Sequence, residues 1–312
     1  MHGNESTTTK ALLDFWIYLK SKEAKPLLDA CTFLMIPQLN PDGSDAYTRL
    51  NANGVDLNRD AIDLTQPESM VLRKIYEDFN PDYCFNLHGQ RTIFAAGNTH
   101  TPATVSFLAP AADPSRTITP ARELAMKLIV AANTRLQESI SNAIGRYDDG
   151  FNINCVGDYF ISQNTPTILF EAGHFDSDYK RIATRGYIFE ALVTMCKTIA
   201  NGSIESFSVD SYFEIPENYN HLRDIELYNL RQTIGGSPIF NNKLFIQFRE
   251  EKKEDDICFI PELSSMDSTL IGLQRVNAQE YDEFKDIVFD SNSDNYEDLT
   301  KTFSLLSFNE FL

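Results

Sequence analysis

A histidine and a glutamate at the start of the chain have the spacing of a metal-ligand pair. His2 and Glu5 are three residues apart where a helix is predicted to begin, so both side chains can point to one centre. An imidazole and a carboxylate are common ligands of zinc. Alone the pattern is weak, because such short matches occur by chance and a solvated histidine near a helix cap explains it equally well.

A second histidine, His88, ends an apolar run at 82–88 that predicts a strand. Active sites of α/β sheets form just beyond the carboxyl ends of strands. A lone histidine there is more often part of the core. Combined with His2 and Glu5, however, it completes a set of two histidines and one glutamate that leaves one coordination position open, as in catalytic zinc sites.

Glu171 ends another apolar run, residues 167–170. A carboxylate at the edge of a buried strand is costly unless it is paired or functional, so Glu171 is a candidate general base. Two arginines lie in polar loops: Arg49, and Arg59 at the end of the run GVDLNR (54–59). Because arginine pairs with carboxylates through two hydrogen bonds, Asn58 and Arg59 could hold an anionic end of a substrate.

Taken together, these motifs resemble those of the M14 family of zinc carboxypeptidases. They follow one another in the family's order over roughly residues 1–200: HGNE (2–5), NPDG (40–43), Arg49, GVDLNR (54–59), His88 and Glu171. The resemblance implies one Zn²⁺ per chain, with His2, Glu5 and His88 as its ligands.

The resemblance also implies the other roles. Arg49 would polarise the scissile carbonyl, and Asn58 and Arg59 would bind the C-terminal carboxylate of a peptide substrate. Glu171 would be the general base for a zinc-activated water, since zinc lowers the pKa of bound water to about 7. The implied activity is hydrolysis of C-terminal peptide bonds by a metallopeptidase.

Three departures from the family pattern leave parts of this assignment open. The family has strands before its H-x-x-E loop, so we expect that about three strands are missing and that the chain is a truncated gene model, a fragment or a product of an incorrect start. The substrate-capping tyrosine has two candidates, Tyr147 and Tyr159, while the equivalent position falls near 150–151. The specificity pocket should involve residues 156–158, whose preference the sequence does not give.

Two alternatives remain beside the carboxypeptidase. Succinylglutamate desuccinylases and aspartoacylase-like zinc amidohydrolases also resemble the HGNE and DLNR motifs, although the NPDG turn favours the peptidase. A truncated, non-catalytic product that binds a peptide or a glycan is the other alternative.

Strands and helices alternate through residue 200, which predicts an α/β fold with a mixed, largely parallel sheet flanked by helices, as in zinc carboxypeptidases. We expect strands at 31–37, 82–88, 105–110 and 166–171, and helices at 4–20, 67–79, 120–144 and 178–200. Short alternating runs between 207 and 276, separated by turns at 235–238 and 250–256, predict a small C-terminal β domain. The predicted divisions are a catalytic domain at 1–203, the β domain at 204–280 and an acidic tail at 281–312.

The formal net charge is −18, and residues 205–312 hold 22 acidic but only 9 basic residues. A chain this acidic without a basic stripe is a poor nucleic-acid binder. No run of about 18 apolar residues exists that predicts a transmembrane helix. The five cysteines are scattered and never in C-x-x-C spacing, so we expect reduced thiols. Reduced thiols are typical of the cytoplasm, but the sequence leaves the compartment open.

Overall fold

The computed structural model describes residues 1–234, 237–265, 269–280 and 288–289. The chain divides into two compact units, one of residues 1–91 and 96–219 and the other of residues 92–95 and 220–312. Residues 204–219 thus belong to the first unit, although their sequence pattern groups them with the β domain.

The first unit contains every helix described in the chain longer than one turn. They are α1 (Ser6–Tyr18), α2 (Lys25–Ala30), α3 (Pro41–Ala46), α4 (Pro67–Phe79), α5 (Pro120–Leu136), α6 (Val156–Ser162), α7 (Ile182–Ala200) and α8 (Val209–Glu214). The strands of the chain are β1 (Cys84–Gly89), β2 (Phe94–Ala96), β3 (Val105–Leu108), β4 (Ile144–Arg146), β5 (Thr167–Ala172), β6 (Asn218–Asn220), β7 (Leu222–Ile234), β8 (Ser237–Lys253), β9 (Asp256–Ser265), β10 (Ile271–Asn277) and β11 (Val288–Phe289).

The central sheet of the first unit has the strand order β1-β5-β3-β4. β1 is parallel to β5 and β3 is parallel to β4, whereas β3 and β5 are antiparallel. This arrangement confirms the mixed, largely parallel sheet of an α/β fold. Strands β2 and β6 pair separately.

Alternation along the strands divides the sheet into two faces. Phe85 and Leu87 of β1, together with Ile168 and Phe170 of β5, join the large apolar core formed with α1, α5 and α7. The residues between them point to the opposite face. The sequence of each strand therefore separates the core side chains from those that can form a site.

The strand predicted at 31–37 is wrong: the segment is extended but is not part of a sheet. A strand needs a neighbouring backbone to hydrogen-bond with. Residues 31–36 pair with no described strand, and together with residues 82–87 they line a cavity of about 1050 Å³. Its side chains nevertheless contribute to the core, where Phe33 and Met35 pack.

Two further predicted elements differ from the structure. The helix predicted at 120–144 ends at Leu136, and Asn142 has a left-handed backbone (φ 63°) that no helix can contain, just before β4 begins. The alternating run at 207–215 forms α8 and no strand, because the Ser208 side chain accepts a hydrogen bond from Ser211 N and caps the helix.

The second unit is built on a sheet of order β10-β7-β8-β9, with β11 also paired to β7. β7–β8 and β8–β9 are antiparallel, while β10 and β11 are parallel to β7. This sheet confirms the C-terminal β domain. The predicted turn at 250–256 narrows to residues 254–255, the glycines of the turn predicted at 235–238 lie outside the described residues, and so does most of the predicted tail.

Two chain-wide features bear on the sequence predictions. No helix within the described ranges is long and apolar enough to cross a membrane. All five cysteines are free thiols, as predicted.

Candidate active site

Four residues form one row across the central sheet. His88 of β1 is in register with Glu171 of β5, Glu171 with Ser106 of β3, and Ser106 with Gly145 of β4. Residues in register on adjacent strands point to the same face. The row lies on the face opposite the large helical core, so His88 and Glu171 are presented on one side at the carboxyl ends of β1 and β5.

Three side chains converge beside this row. His2 Nδ1 lies 2.8 Å from Glu5 Oε1, His88 Nδ1 lies 2.9 Å from Glu5 Oε2, and the two Nδ1 atoms are 3.2 Å apart. Gly89 N donates a further hydrogen bond of 3.0 Å to Glu5. His2 and His88 are buried. Three side chains thus face one point at the edge of the sheet.

Close backbone packing holds the loop that carries His2 and Glu5. A Cβ atom on Gly3 would lie 1.9 Å from the carbonyl carbon of Gly43, so only glycine allows the two segments to touch. Asn40 accepts a hydrogen bond from Gly43 N and caps α3, which begins where the sequence predicts a turn. Glu5 occupies the cap position of α1 without capping it, which leaves its carboxylate available to the site.

The three side chains fit a zinc ion. Ligand atoms about 2.1 Å from a tetrahedral ion lie roughly 3.4 Å apart, and the three residues each offer one ligand atom within 4.8 Å of the other two. Among the described residues, His2, Glu5 and His88 are the group of histidine, cysteine and acidic side chains whose ligand atoms lie close enough to hold a metal. Two imidazoles and one carboxylate are a donor set that zinc accepts in catalytic sites.

Without a metal ion, the charge states of Glu5 and His88 are those of metal ligands, whereas the environment of His2 favours its protonated form. Burial lowers the pKa of His88, which keeps the imidazole neutral. Burial alone would raise the pKa of Glu5, but the neighbouring imidazoles outweigh it and hold that pKa well below its usual range. Burial likewise acts to lower the pKa of His2, and the hydrogen bonds to Asp56 and Glu5 overcome it and raise that pKa.

Asp56 is a site residue whose role no motif predicted. Its Oδ1 lies 2.8 Å from His2 Nε2, and its Oδ2 accepts hydrogen bonds of 3.1 and 3.0 Å from Arg49. A carboxylate on the second nitrogen of a ligand histidine fixes the tautomer and the ring orientation. The available signal was an acidic residue two positions before Asn58 in a run already assigned to the site.

Arg49 contacts the group formed by His2 and Glu5, and the other predicted substrate residues lie in the turn that follows Asp56. The Arg49 guanidinium donates to Glu5 Oε1 at 3.4 Å as well as to Asp56. Asn58 is buried and its Oδ1 accepts from Val156 N at 3.3 Å. Arg59 is exposed, donates to the carbonyl of Asn58, and forms no ion pair with an acidic side chain of the described chain.

Glu171 is half-buried, and its Oε2 is a buried oxygen that accepts no hydrogen bond from the described residues. Burial raises the pKa of Glu171 well above its usual value, and the negative charge of Glu5 adds to the effect. A carboxylate in this state accepts a proton more readily than an exposed one. The sequence placed it at the end of a strand, and β5 extends one residue beyond it to Ala172.

The structure distinguishes the two candidate tyrosines. Tyr147 lies within electrostatic range of Glu171, Glu5 and Arg49, and burial raises its pKa so that the phenol stays protonated. Tyr159 instead packs in a small apolar cluster, with the Arg73 guanidinium 3.9 Å above its ring.

Residues 156–158, expected near the specificity pocket, begin α6. Val156 is tied to Asn58 by the hydrogen bond described above. Asp158 is buried and accepts a hydrogen bond from Asn152 N at 3.2 Å, and burial raises its pKa to about 6. This segment therefore adjoins the substrate residues through Asn58.

Comparisons with known proteins bear on the first unit. A family model described as zinc carboxypeptidase matches residues 1–156. A probable carboxypeptidase 2 of Trichophyton verrucosum is 30% identical over 104 residues, which is 33% of this chain and 19% of that protein. The chain thus aligns with only about a fifth of the length of such curated relatives.

Solved structures give more distant likenesses. A metallo-carboxypeptidase from Burkholderia cenocepacia has a TM-score of 0.47 at 19% identity, covering 63% of this chain and 55% of that one. A succinylglutamate desuccinylase from Silicibacter sp. TM1040 has a TM-score of 0.45 at 10% identity, covering 85% of this chain and 78% of that one.

Proposed function

The chain belongs to the zinc carboxypeptidase family, whose model matches half of its residues, and from that premise we propose that it is a zinc-dependent metallocarboxypeptidase. Its substrates are peptides with a free C-terminal carboxylate. The observation that supports this most directly is the convergence of His2, Glu5 and His88 beside Glu171, whose buried Oε2 accepts no hydrogen bond from the described residues.

His2, Glu5 and His88 would hold one zinc ion through two imidazoles and a carboxylate. Zinc bound there supplies Lewis-acid chemistry, because it polarises a carbonyl and lowers the pKa of water. Asp56 keeps the His2 ring in the orientation that directs Nδ1 to the centre.

Glu171 is the general base. It accepts a proton from the attacking water and passes it to the leaving amine, which restores the carboxylate for the next cycle. Its surroundings support this role, because burial raises the pKa of Glu171 and so brings that pKa closer to neutral pH.

Arg49 and Arg59 recognise the two charged parts of the reacting substrate. Arg49 donates a hydrogen bond to Glu5, and in this position it stabilises the negative charge that develops on the carbonyl oxygen. Arg59, with Asn58 beside it, binds the terminal carboxylate of the peptide through charge-assisted hydrogen bonds. An anchor for a chain end makes the activity that of an exopeptidase.

Three compounds test the proposal: a peptide with a free C-terminus, the same peptide with a C-terminal amide, and an N-acyl amino acid. The proposal predicts release of the C-terminal residue from the first and at least a tenfold lower rate on the amide. Turnover of the N-acyl amino acid alone would support the desuccinylase-like alternative. A folded protein that binds zinc to no measurable extent would support the non-catalytic alternative.

A further inference from the structure

The segment that follows β4 brings Tyr147 to the site face of the sheet. Tyr147 N donates to the carbonyl of Phe107 at 2.9 Å, which continues the pairing of β3 with β4. Tyr147 follows Gly145 by two residues, so its side chain is on the same face as Ser106 and Glu171. Beyond this hydrogen bond the segment leaves the sheet, and the next fixed point is Asp149.

Asp149 is bound by an arginine from the interior. Arg122 of α5 is only 1% exposed and forms an ion pair through Nη2 with Asp149 Oδ2. The remaining donors are held in place too, because Nε donates to the carbonyl of Ala109 at 3.2 Å and Nη1 to the carbonyl of Arg116. A buried guanidinium with three fixed bonds is a rigid anchor, and its charge requires a partner.

A second arginine binds the same carboxylate from the surface. Arg116 Nη1 donates to Asp149 Oδ1 at 2.9 Å, so both oxygens of Asp149 are occupied. The neighbouring Asp148 differs sharply: its side chain is 79% exposed and reaches Arg116 only at 3.7 Å. The two adjacent aspartates therefore offer a matched pair for experiment.

We infer that Asp149 is a positioning residue, whose ion pair with Arg122 holds Tyr147 over the row that contains Glu171, where its phenol donates a hydrogen bond to the bound substrate. The inference rests on the proposed function and extends it. Tyr147 touches the substrate, whereas Asp149 acts only through the backbone between residues 147 and 149.

A double-mutant cycle tests this relationship. Removing one hydrogen bond to substrate costs about tenfold in kcat/KM, so Tyr147→Phe is expected to lower kcat/KM by about that factor, mainly through KM. Asp149→Asn should cause a similar loss in the native background and almost none in the Tyr147→Phe background. A loss of roughly a hundredfold in the double variant, or unchanged kinetics of Asp149→Asn, would overturn the inference.

Hydrogen exchange supplies a readout that needs no substrate. The amide of Tyr147 should exchange with solvent at least about tenfold faster in Asp149→Asn than in the native protein. In Asp148→Asn its exchange rate should equal that of the native protein. Equal exchange in all three proteins would contradict the inference. Because this comparison is independent of activity, a protein that hydrolyses no peptide would refute the proposed function and leave the positioning role testable.

A second variant covers the case in which Asp149→Asn does not fold because the Arg122 charge is left unpaired. Replacing both partners, as Arg122→Met with Asp149→Leu, removes the buried charge together with its counter-ion. The same acceleration of Tyr147 exchange is expected. Exchange as slow as in the native protein would show that the ion pair does not hold the segment.

Discussion

His88 and Glu171 are directly opposite each other on two parallel strands, with their side chains on the same face of the sheet. This register places a proposed metal ligand beside the proposed general base. Burial affects the two groups in opposite ways: it lowers the pKa of His88 and raises that of Glu171. A neutral imidazole and a basic carboxylate therefore arise from the same environment.

Zinc should bind once per chain. Replacing a ligand removes one of three donors, so His88→Ala should weaken zinc binding by more than about 100-fold, beyond the usual effect of losing an outer partner. Isothermal titration of the metal-free protein measures this directly. His100→Ala is the matched control, since His100 is exposed and far from the cluster in sequence. Equal affinity of the two variants would contradict the ligand assignment.

Asp56 should control the affinity for zinc through the orientation of His2. Asp56→Ala removes the partner of His2 Nε2 and is expected to weaken zinc binding by roughly 10–100-fold. The same change frees Arg49, because its two hydrogen bonds to Asp56 are lost. Measuring zinc affinity in Arg49→Met separates the effects, and an equally large loss there would assign the role to Arg49.

Arg59 should determine the preference for a free C-terminus. Arg59→Met is expected to raise KM for a carboxylate-terminated peptide by about 10–100-fold, the effect of losing a charge-assisted hydrogen bond. Arg59→Lys should be intermediate, because lysine retains the charge but not the paired donors. The amidated peptide is the internal control and should change little. A proportional loss on both peptides would exclude an anchoring role.

His174 should make stability depend on pH. It is buried, and burial together with the nearby Arg181 lowers its pKa to about 4, although Asp176 and Asp178 oppose the shift. The unfolded chain, with a histidine pKa of about 6.5, binds the proton more tightly. Stability from His174 is therefore present above about pH 6.5 and is lost as the pH falls towards 4, by about 3 kcal/mol in the free energy of unfolding.

Urea unfolding of the native protein and of His174→Gln at pH 7.5 and pH 4.5 measures that contribution. Comparing the two proteins cancels the carboxylates that titrate in the same range. The native protein should lose more stability than the variant between the two pH values. Identical losses would mean that His174 is not held neutral in the folded state.

The site was largely predictable because its residues carry local signals. His2 and Glu5 belong to a short motif, and His88 and Glu171 each end an apolar run of the sequence, so their chain positions alone indicate an edge of the sheet. Asp56 could not be assigned in the same way. Its role depends on contacts with His2, 54 positions away, which no local pattern encodes.

Errors in the fold prediction arose where tertiary pairing decides the outcome. The apolar run at 31–37 has the composition of a strand, but a strand requires a neighbouring backbone, and this run pairs with no described strand. Residues 120–144 are helical only as far as Leu136, since Ile144 pairs with Val105 instead. The helix and strand propensities of residues predict structure poorly where backbone pairing with a distant segment decides the outcome.

Glu171→Gln tests the central claim most directly. Glutamine retains the size of the side chain but cannot accept the proton, so kcat for release of the C-terminal residue should fall by about 10²–10⁴-fold. Zinc affinity should stay within about threefold of native, because Glu171 is outside the ligand set. Peptidase activity that persists in a zinc-loaded Glu171→Gln protein would contradict the account.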